Sequence, residues 1–243
     1  MKYSLLKIIK EGLTVNKGLR PIWRNPEPKK KYDVIIIGGG GHGLSTAYYL
    51  SNVYGINNVA VLEKGWIGSG NIGRNTTIIR SNYMLPGNEP FYELSLKLWE
   101  GLEQDFNYNA MISQRGIINL FHSDGQRVAY ARRGNAMLLE GADAELLDED
   151  SVRDICPFLD FNNARFPIKG GLMQKRGGTV RHDAVAWGYA RGADNKGVDI
   201  IQNCEVTGFK IVNGVCKGVE TNLGPISANK IASCAAGSSS RCL

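Results

Sequence analysis

A glycine-rich turn between a buried strand and a helix constrains this chain more than any other feature. Residues 34–37 are a short apolar run of the kind that forms a buried parallel strand. The run leads directly into Gly-Gly-Gly-Gly-His-Gly at 38–43. Residues 44–54 then carry a helical pattern, and 59–62 is a second strand-like run that ends at Glu63. This order predicts a strand–turn–helix–strand unit of an α/β fold.

The spacing of the glycines indicates a dinucleotide site. Gly38, Gly40 and Gly43 match the pattern G-x-G-x-x-G. In that pattern the first glycine permits the turn, the second admits a diphosphate and the third lets the helix pack closely. Glu63 would accept hydrogen bonds from both hydroxyls of an adenosine ribose and would repel a 2′-phosphate. The pattern does not separate FAD from NAD, and a purely structural glycine turn is the alternative.

Two later segments carry further candidate chemistry. Residues 65–83 form a loop rich in glycine, asparagine and threonine, which suits a backbone wrapped around a long dinucleotide. Arg80 follows two isoleucines, so its guanidinium would lie near buried surface and pair with a ligand carboxylate or with an acid of the protein. His182, between Arg181 and Asp183, is a candidate site residue, and a helix-capping or core histidine is the alternative.

The composition excludes several classes of protein. The chain has 243 residues, of which 43% are hydrophobic and 21% charged, as in a globular protein of one or two domains. Residues 1–31 carry a net charge of +7, whereas the whole chain carries +6. The rest of the chain therefore has a net charge of −1 and offers no basic face for nucleic acid. This arm is either solvated or packs on a partner subunit. In the second case Leu5, Leu6, Ile8, Ile9 and Trp23 would pack on the partner.

No membrane segment, disulfide frame or metal site is expected. No apolar run approaches the ~18 residues of a membrane-spanning helix. The five cysteines lack C-x-x-C spacing, which predicts reduced thiols in a cytoplasmic protein. Three histidines leave little material for a metal centre or a Ser–His–Asp triad.

Other elements follow from local patterns. An amphipathic helix is predicted to open at Pro90, and Asp183 is predicted to cap a helix that runs to about Lys196. Residues 200–206 are predicted to form a strand, and the Asn213-Gly214 dipeptide predicts a tight hairpin turn.

Several stretches resemble the β subunits of heterotetrameric sarcosine oxidases, a family of amine-oxidising flavoproteins built like D-amino-acid oxidase. They are 23–30, the 38–43 turn, 71–83 with its RNTTIIRSNY sequence, and RHDAVAWGYARGAD at 181–194. The resemblance covers nearly the whole chain. It implies an α/β fold in which a Rossmann-like FAD-binding domain is interleaved with an α+β substrate domain.

The resemblance also divides the chain into segments. Residues 1–31 would be a basic arm, 32–85 the first segment of the FAD-binding domain, 86–175 the first segment of a substrate domain near FMN, and 176–243 a truncated second FAD-binding segment. The family chain continues past Leu243 and carries a catalytic lysine there, so a fragment or a truncated product is expected. Ser238 stands where the family often has histidine.

The resemblance implies two flavins. FAD would be held non-covalently, and FMN would be attached covalently to His182 with Arg181 in contact. Arg80 matches the family arginine that binds the substrate carboxylate, and is the predicted catalytic residue. The expected FAD-contacting residues are Gly38, Gly40, Gly41, His42, Gly43, Glu63, Asn71, Ile72, Thr77, Ile79 and Val206.

The implied reaction is the oxidative demethylation of sarcosine to glycine. Formaldehyde or, with tetrahydrofolate, 5,10-methylenetetrahydrofolate would be the second product, and oxygen would be reduced to hydrogen peroxide in a complex with α, γ and δ subunits. Dimethylglycine or another secondary amino acid is an alternative substrate. A pyridine-nucleotide dehydrogenase, which needs only the glycine pattern and Glu63, and a non-catalytic dinucleotide-binding subunit are alternatives of other classes.

Overall fold

The computed structural model describes residues 4–14, 23–83 and 87–242. The helices are α1 Leu5–Leu13, α2 Gly41–Asn52, α3 Glu89–Phe106, α4 Asp124–Leu139, α5 Glu149–Ile155, α6 His182–Asp194 and α7 Ser239–Cys242. The strands are β1 Lys31–Ile37, β2 Val59–Leu62, β3 Ile78–Ile79, β4 Ile117–Phe121, β5 Glu145–Asp148, β6 Gly170–Gln174, β7 Gly178–Thr179, β8 Asp199–Ile201, β9 Val206–Val212, β10 Val215–Thr221 and β11 Ile226–Ser233. Two 3-10 turns span Asn71–Arg74 and Ala236–Ser238.

A six-stranded sheet with the order β8-β2-β1-β11-β10-β9 forms the centre of the fold. β1 pairs in parallel with β2 and with β11, and β2 pairs in parallel with β8. β9, β10 and β11 are joined by antiparallel pairings. Strands inside a parallel sheet are covered on both faces and therefore need apolar residues throughout, as all four residues of β2 show. The predicted α/β fold with a Rossmann-like domain is confirmed.

The two faces of this sheet carry separate hydrophobic clusters. Ile36 points to the face on which α2 and α6 pack, where it joins Leu44 and Ala190. Its neighbours Ile35 and Ile37 point to the opposite face. This alternation follows from the two-residue period of a strand, and it fixes the orientation of the residues that follow β1.

Two smaller sheets lie beside the central one. β4, β6 and β5 form an antiparallel sheet in that order, and α4 and α5 pack on it. All three strands come from the predicted substrate segment 86–175, although the domain boundaries themselves stay a prediction. β3 pairs with β7, which places Ile79 opposite Gly178 across some hundred residues of chain. This pairing joins the loop after β2 to the start of α6.

Two helices begin differently from the prediction. α2 starts at Gly41, inside the glycine turn, because glycine N–H groups enter the first helical turn without steric cost. α6 starts at His182 with Arg181 at the N-cap position, so the predicted cap at Asp183 is wrong. The Asp183 carboxylate instead accepts the N–H of Ala184, at 3.0 Å, from within the first turn.

The predicted strand at 200–206 is divided in two. β8 ends at Ile201, and Asn203 adopts a left-handed conformation with φ of 55°. Asparagine tolerates this region better than most residues, so the chain turns there and β9 begins at Val206. The hairpin predicted at Asn213-Gly214 is confirmed, since both residues have positive φ between β9 and β10.

Residues 23–31 of the basic arm contact α6 and the central sheet. The ring of Trp23 packs edge-on against Trp187, with centroids 5.1 Å apart. Asp199 accepts hydrogen bonds from Arg24 at 2.9 Å, from Lys29 at 2.8 Å and from the Tyr32 hydroxyl at 3.0 Å. This part of the arm is therefore held against the body of the chain, while the side chains of Arg24 and Lys29 stay about half-exposed to solvent.

The contacts around Asp199 shift the pKa values of Asp199 and Tyr32. Burial alone would raise the pKa of Asp199, but the hydrogen bonds from Lys29, Arg24 and Tyr32 outweigh it and hold the pKa below its ordinary value. Burial is also the main cause that raises the pKa of Tyr32 to about 12. Asp199 is thus a buried carboxylate that stays ionised because three donors surround it.

Further predictions concern the thiols and the membrane. Among the described residues, Cys156, Cys204, Cys216 and Cys234 form no disulfide, and their reduced state stays a prediction. Within the described ranges, none of the helices combines the length and apolar character needed to cross a bilayer. α1 exposes Leu5, Leu6, Ile8 and Ile9. The packing of these side chains on a partner stays a prediction.

Candidate functional site

The glycine turn lies where β1, β11 and α2 come together. Gly38 has a φ of 105°, and its N–H donates to the carbonyl oxygen of Leu62 at 2.8 Å. A Cβ atom at Gly38 would lie 2.8 Å from the carbonyl oxygen of Cys234, and one at Gly43 would lie 1.9 Å from that of Gly38. Glycine is therefore required at both positions for the three elements to approach this closely.

The N-terminus of α2 is open. Gly40 is its N-cap, and no side chain of the described residues caps the helix. A Cβ at Gly40 would meet no atom of that part of the chain within 4 Å, whereas one at Gly41 would lie 3.1 Å from the Cδ1 atom of Ile72. His42 is exposed in the first helical turn. The uncapped N–H groups and the helix dipole suit an anionic group such as a phosphate.

Glu63 directly follows β2 and lies next to the glycine turn. Its Oε2 atom accepts the N–H of Gly39 at 2.7 Å, and its Oε1 atom accepts the N–H of Gly65 at 2.8 Å. Each carboxylate oxygen keeps a further lone pair for a hydroxyl donor. The backbone carbonyl of Glu63 accepts from Cys204, two residues before buried Val206 at the start of β9. The carboxylate is therefore fixed in one orientation.

The loop after Glu63 connects the glycine turn to the β3–β7 pair. Asn71 and Ile72 open its 3-10 turn. Thr77 has a φ of 63°, and its carbonyl oxygen accepts the N–H of Val180 at 2.9 Å. Ile79 is 5% exposed in the main hydrophobic cluster. The loop residues predicted to contact FAD therefore lie between the N-terminus of α2, where Ile72 is near Gly41, and the start of α6, where Thr77 contacts Val180.

Arg80 directly follows β3 and is half-buried. Its guanidinium lies over the ring of Tyr83, 4.7 Å from the centroid. Among the residues that the structure describes, no carboxylate lies within ion-pair distance of Arg80. The alternative of an intraprotein salt bridge is not found there, which leaves the fork available to a ligand.

His182 begins α6 on the other side of the β3–β7 pair. Its Nδ1 atom is buried and has no hydrogen-bond partner in the described ranges. Arg181 forms a two-point pair with Asp183, at 2.6 and 3.1 Å. The hydrogen bond from Arg181 lowers the pKa of Asp183, and the same bond raises the pKa of Arg181. An unpaired buried imidazole nitrogen calls for a partner that the described chain does not supply.

Comparison with known proteins decides the family. Residues 33–243 match the family described as FAD dependent oxidoreductase. The chain belongs to this family.

Individual relatives agree with that assignment. The chain is 70% identical over 241 residues to sarcosine oxidase subunit beta of Rhizobium meliloti, covering 99% of this chain and 58% of the relative. It is 47% identical over 239 residues to the protein of the same name from Rhodobacter capsulatus, covering 98% and 58%. L-proline dehydrogenase from P. horikoshii superposes with a TM-score of 0.79 at 25% identity, over 86% of this chain and 54% of that one. The chain thus spans somewhat more than half the length of these proteins.

The residues of the glycine turn fit the cofactor that gives the FAD dependent oxidoreductase family its name. The uncapped helix and the open space at Gly40 suit a diphosphate, and the fixed Glu63 suits a ribose diol. Buried Nδ1 of His182 suits a group bound near the start of α6. The contacts of individual residues with a flavin stay predictions.

Sequence reasoning missed two polar residues that contact the segment after Arg80, Gln174 and Arg133. Gln174 is fully buried, and its amide both accepts the N–H of Ser81 at 3.1 Å and donates to the Ser81 hydroxyl at 2.6 Å. Arg133 donates to the carbonyl oxygen of Asn82 at 2.5 Å. Gln174 ends an otherwise apolar strand, which was a usable signal. Arg133 lies in a polar helical stretch that offered none.

Proposed function

We propose that the chain is the N-terminal, FAD-binding part of the β subunit of a multi-subunit sarcosine oxidase. The reaction is the flavin-dependent oxidative demethylation of sarcosine to glycine and formaldehyde, or to 5,10-methylenetetrahydrofolate when tetrahydrofolate is present, with oxygen reduced to hydrogen peroxide. The 70% identity to sarcosine oxidase subunit beta supports this proposal. The predicted reduced state of the cysteines supports a cytoplasmic location.

The observation that carries the proposal is the unpaired guanidinium of Arg80. It follows β3, which pairs with the strand before His182, and no carboxylate of the described chain neutralises it. A planar fork held beside apolar residues binds a carboxylate through two parallel hydrogen bonds. Sarcosine has one carboxylate and one secondary amine, so this single contact would orient the N-methyl group.

Each part of the site has a separate task in this proposal. The α2 N-terminus and Gly40 hold the diphosphate, and Glu63 holds the ribose. Arg80 fixes the substrate carboxylate and so restricts the amine to one orientation. FAD, when bound, supplies the two-electron acceptor for the oxidation of the N-methyl carbon. The product imine then takes up water and separates into glycine and formaldehyde.

His182 is the proposed attachment point of the FMN, and Arg181 is its proposed contact. A neutral imidazole nitrogen is a competent nucleophile. The buried Nδ1 atom without a partner and the position at the start of α6 support this role. Arg181 would have to exchange its pairing with Asp183 for a flavin phosphate.

Arg80→Lys in the intact enzyme tests the substrate assignment. The variant should keep its flavin absorbance but lose at least about 100-fold in kcat/KM for sarcosine, because an ammonium does not reproduce the two-point fork. Arg74→Lys is the matched control, since Arg74 is exposed in the same loop. Turnover of Arg80→Lys near the wild-type rate would refute the carboxylate assignment.

Acid denaturation of the intact enzyme tests the covalent flavin. A yellow precipitate is expected from the wild type and a colourless one from His182→Ala. His122→Ala is the control, because His122 follows β4 and is not among the residues predicted to contact a flavin. A colourless wild-type precipitate would contradict covalent attachment. Tight NADH binding without flavin absorbance would favour a pyridine-nucleotide dehydrogenase instead.

A further inference from the structure

Arg133 lies directly behind the segment that carries Arg80. Arg133 belongs to α4, and its Nη2 atom donates to the carbonyl oxygen of Asn82 at 2.5 Å. The intervening Ser81 is fixed at both its N–H and its hydroxyl by Gln174 of β6. Two buried or half-buried side chains from the smaller sheet region therefore hold the backbone that follows Arg80.

The carbonyl oxygen that Arg133 contacts lies two residues after Arg80, which brings a second positive charge to the segment that carries Arg80. The Nε atom of Arg133 is buried and has no acceptor, and neither Arg133 nor Arg80 has a carboxylate at ion-pair distance within the described ranges. Burial lowers the pKa of Arg133, and the charge of Arg80 lowers it further. Two partly buried cations that influence each other without a counter-ion are stabilised when an anion binds between or beside them.

Asn82 supplies a second, independent observation. Its side chain is 1% exposed, and neither Oδ1 nor Nδ2 has a partner in the part of the chain that the structure describes. A buried amide without partners is costly, because both its donor and its acceptor have lost water. The side chain of Asn82 therefore does not hold this segment through hydrogen bonds, whereas the bond from Arg133 to the Asn82 carbonyl oxygen does.

We infer that Arg133 is a positioning residue for the substrate carboxylate, which holds the Arg80–Asn82 segment and adds a second positive charge. The site would therefore select amines that carry a carboxylate over neutral amines of the same shape. This inference rests on the proposed function and extends it to specificity. Arg133 acts through the backbone of Asn82 and through its charge, while Arg80 makes the direct contact.

The test uses the intact enzyme with its partner subunits and flavins. Arg133→Met and Arg133→Lys are compared with Arg132→Met, because Arg132 is the exposed neighbour on the same helix. Binding is followed by the change in flavin absorbance on titration with methoxyacetate, a carboxylate without an amine, and with methoxyacetamide, its neutral counterpart. Turnover is measured with sarcosine.

Arg133→Met should weaken methoxyacetate binding by at least about tenfold, equivalent to about 1.4 kcal/mol. The KM for sarcosine should rise by a similar factor, while kcat at saturation and methoxyacetamide binding stay within about twofold. Arg133→Lys should recover part of the loss, since it keeps the charge. The Arg132→Met control should match the wild type.

Equal weakening of the acid and the amide, or an Arg133→Met variant that matches Arg132→Met, would overturn the inference. If Arg133→Met does not fold, Arg133→Lys decides by the same comparison of acid with amide. The wild-type enzyme tests the proposed function separately. Methoxyacetate binding without sarcosine turnover would refute the substrate but leave the role of Arg133 intact, whereas a wild type that binds no carboxylate would refute both.

Discussion

Replacement of Gly40 by alanine should separate folding from cofactor binding. A Cβ at this position meets no atom within 4 Å, and the backbone angles of −83° and −173° are open to alanine. The free energy of unfolding of the cofactor-free protein should therefore stay within about 0.5 kcal/mol of the wild type. The methyl group would instead fill the space in front of α2, where we propose that the diphosphate lies.

The expected effect on binding follows from the lost contact. A hydrogen bond to a charged group contributes about 1.5–3 kcal/mol, so displacing the diphosphate from one helix N–H should cost at least tenfold in affinity. FAD at 100 times its Kd raises the free energy of unfolding by about 2.7 kcal/mol. At the same concentration, a tenfold weaker site retains only about 1.4 kcal/mol of that stabilisation.

The assay is urea unfolding of the intact protein with and without FAD. Gly43→Ala is the contrasting control, because its Cβ would lie 1.9 Å from the Gly38 carbonyl oxygen and 3.3 Å from Ile36 Cγ2. α2 must then move away from β1, which should destabilise even the cofactor-free protein by about 1–3 kcal/mol. Wild-type stabilisation of Gly40→Ala by FAD would refute the location of the diphosphate. Loss of stability without FAD would refute the open space at Gly40.

Two further predictions concern buried carboxylates. Asp199→Asn should lower the free energy of unfolding at pH 7 by about 1–2 kcal/mol, less than a fully buried pair because Arg24 and Lys29 are half-exposed. The folded pKa of Asp199 lies below its unfolded value of about 3.9, so its stabilisation is present above that pH and is lost as the pH falls through the folded pKa. Unfolding measured from pH 7 to pH 2 should therefore show a flatter acid limb in Asp199→Asn, and an unchanged limb would contradict the ion cluster. Glu63→Gln should cost about 1–2 kcal/mol without FAD, because its amide group turns a donor toward the N–H of Gly39 or Gly65. Glu63→Gln should also reduce the stabilisation by FAD in urea unfolding. A variant as stable as the wild type without FAD would contradict the expected loss of a backbone hydrogen bond.

Local sequence was sufficient for the elements that depend on near neighbours. The apolar run before Gly38, the glycine pattern and the Asn213-Gly214 turn each specify their geometry within a few residues, and the structure has all three. The division at Asn203 was missed because the segment begins with Ile200 and Ile201 and ends with Val206, which are β-branched residues that favour strands. Only the left-handed turn, held by bonds to the loop after β2, separates β8 from β9.

The surroundings of Arg80 could not be predicted in the same way. Gln174 is 93 residues from Ser81, and Arg133 is 51 residues from Asn82 along the chain. No periodicity or spacing in either stretch encodes those contacts, because they arise only when the smaller sheet packs beside β3. The family resemblance predicted Arg80 and His182 as site residues, but it gave no indication of the polar groups next to Arg80.

The position of β1 has a consequence for synthesis of the protein. The strand leaves the ribosome early, but its partner β11 follows much later, and Asp33 meets Asn229 across 196 residues. Until β11 is made, one edge of β1 keeps unpaired backbone groups and Gly38 lacks its neighbour Cys234. Closing so long a loop is slow. We therefore expect the nascent chain to depend on chaperones and to acquire its flavin only after β11 has emerged.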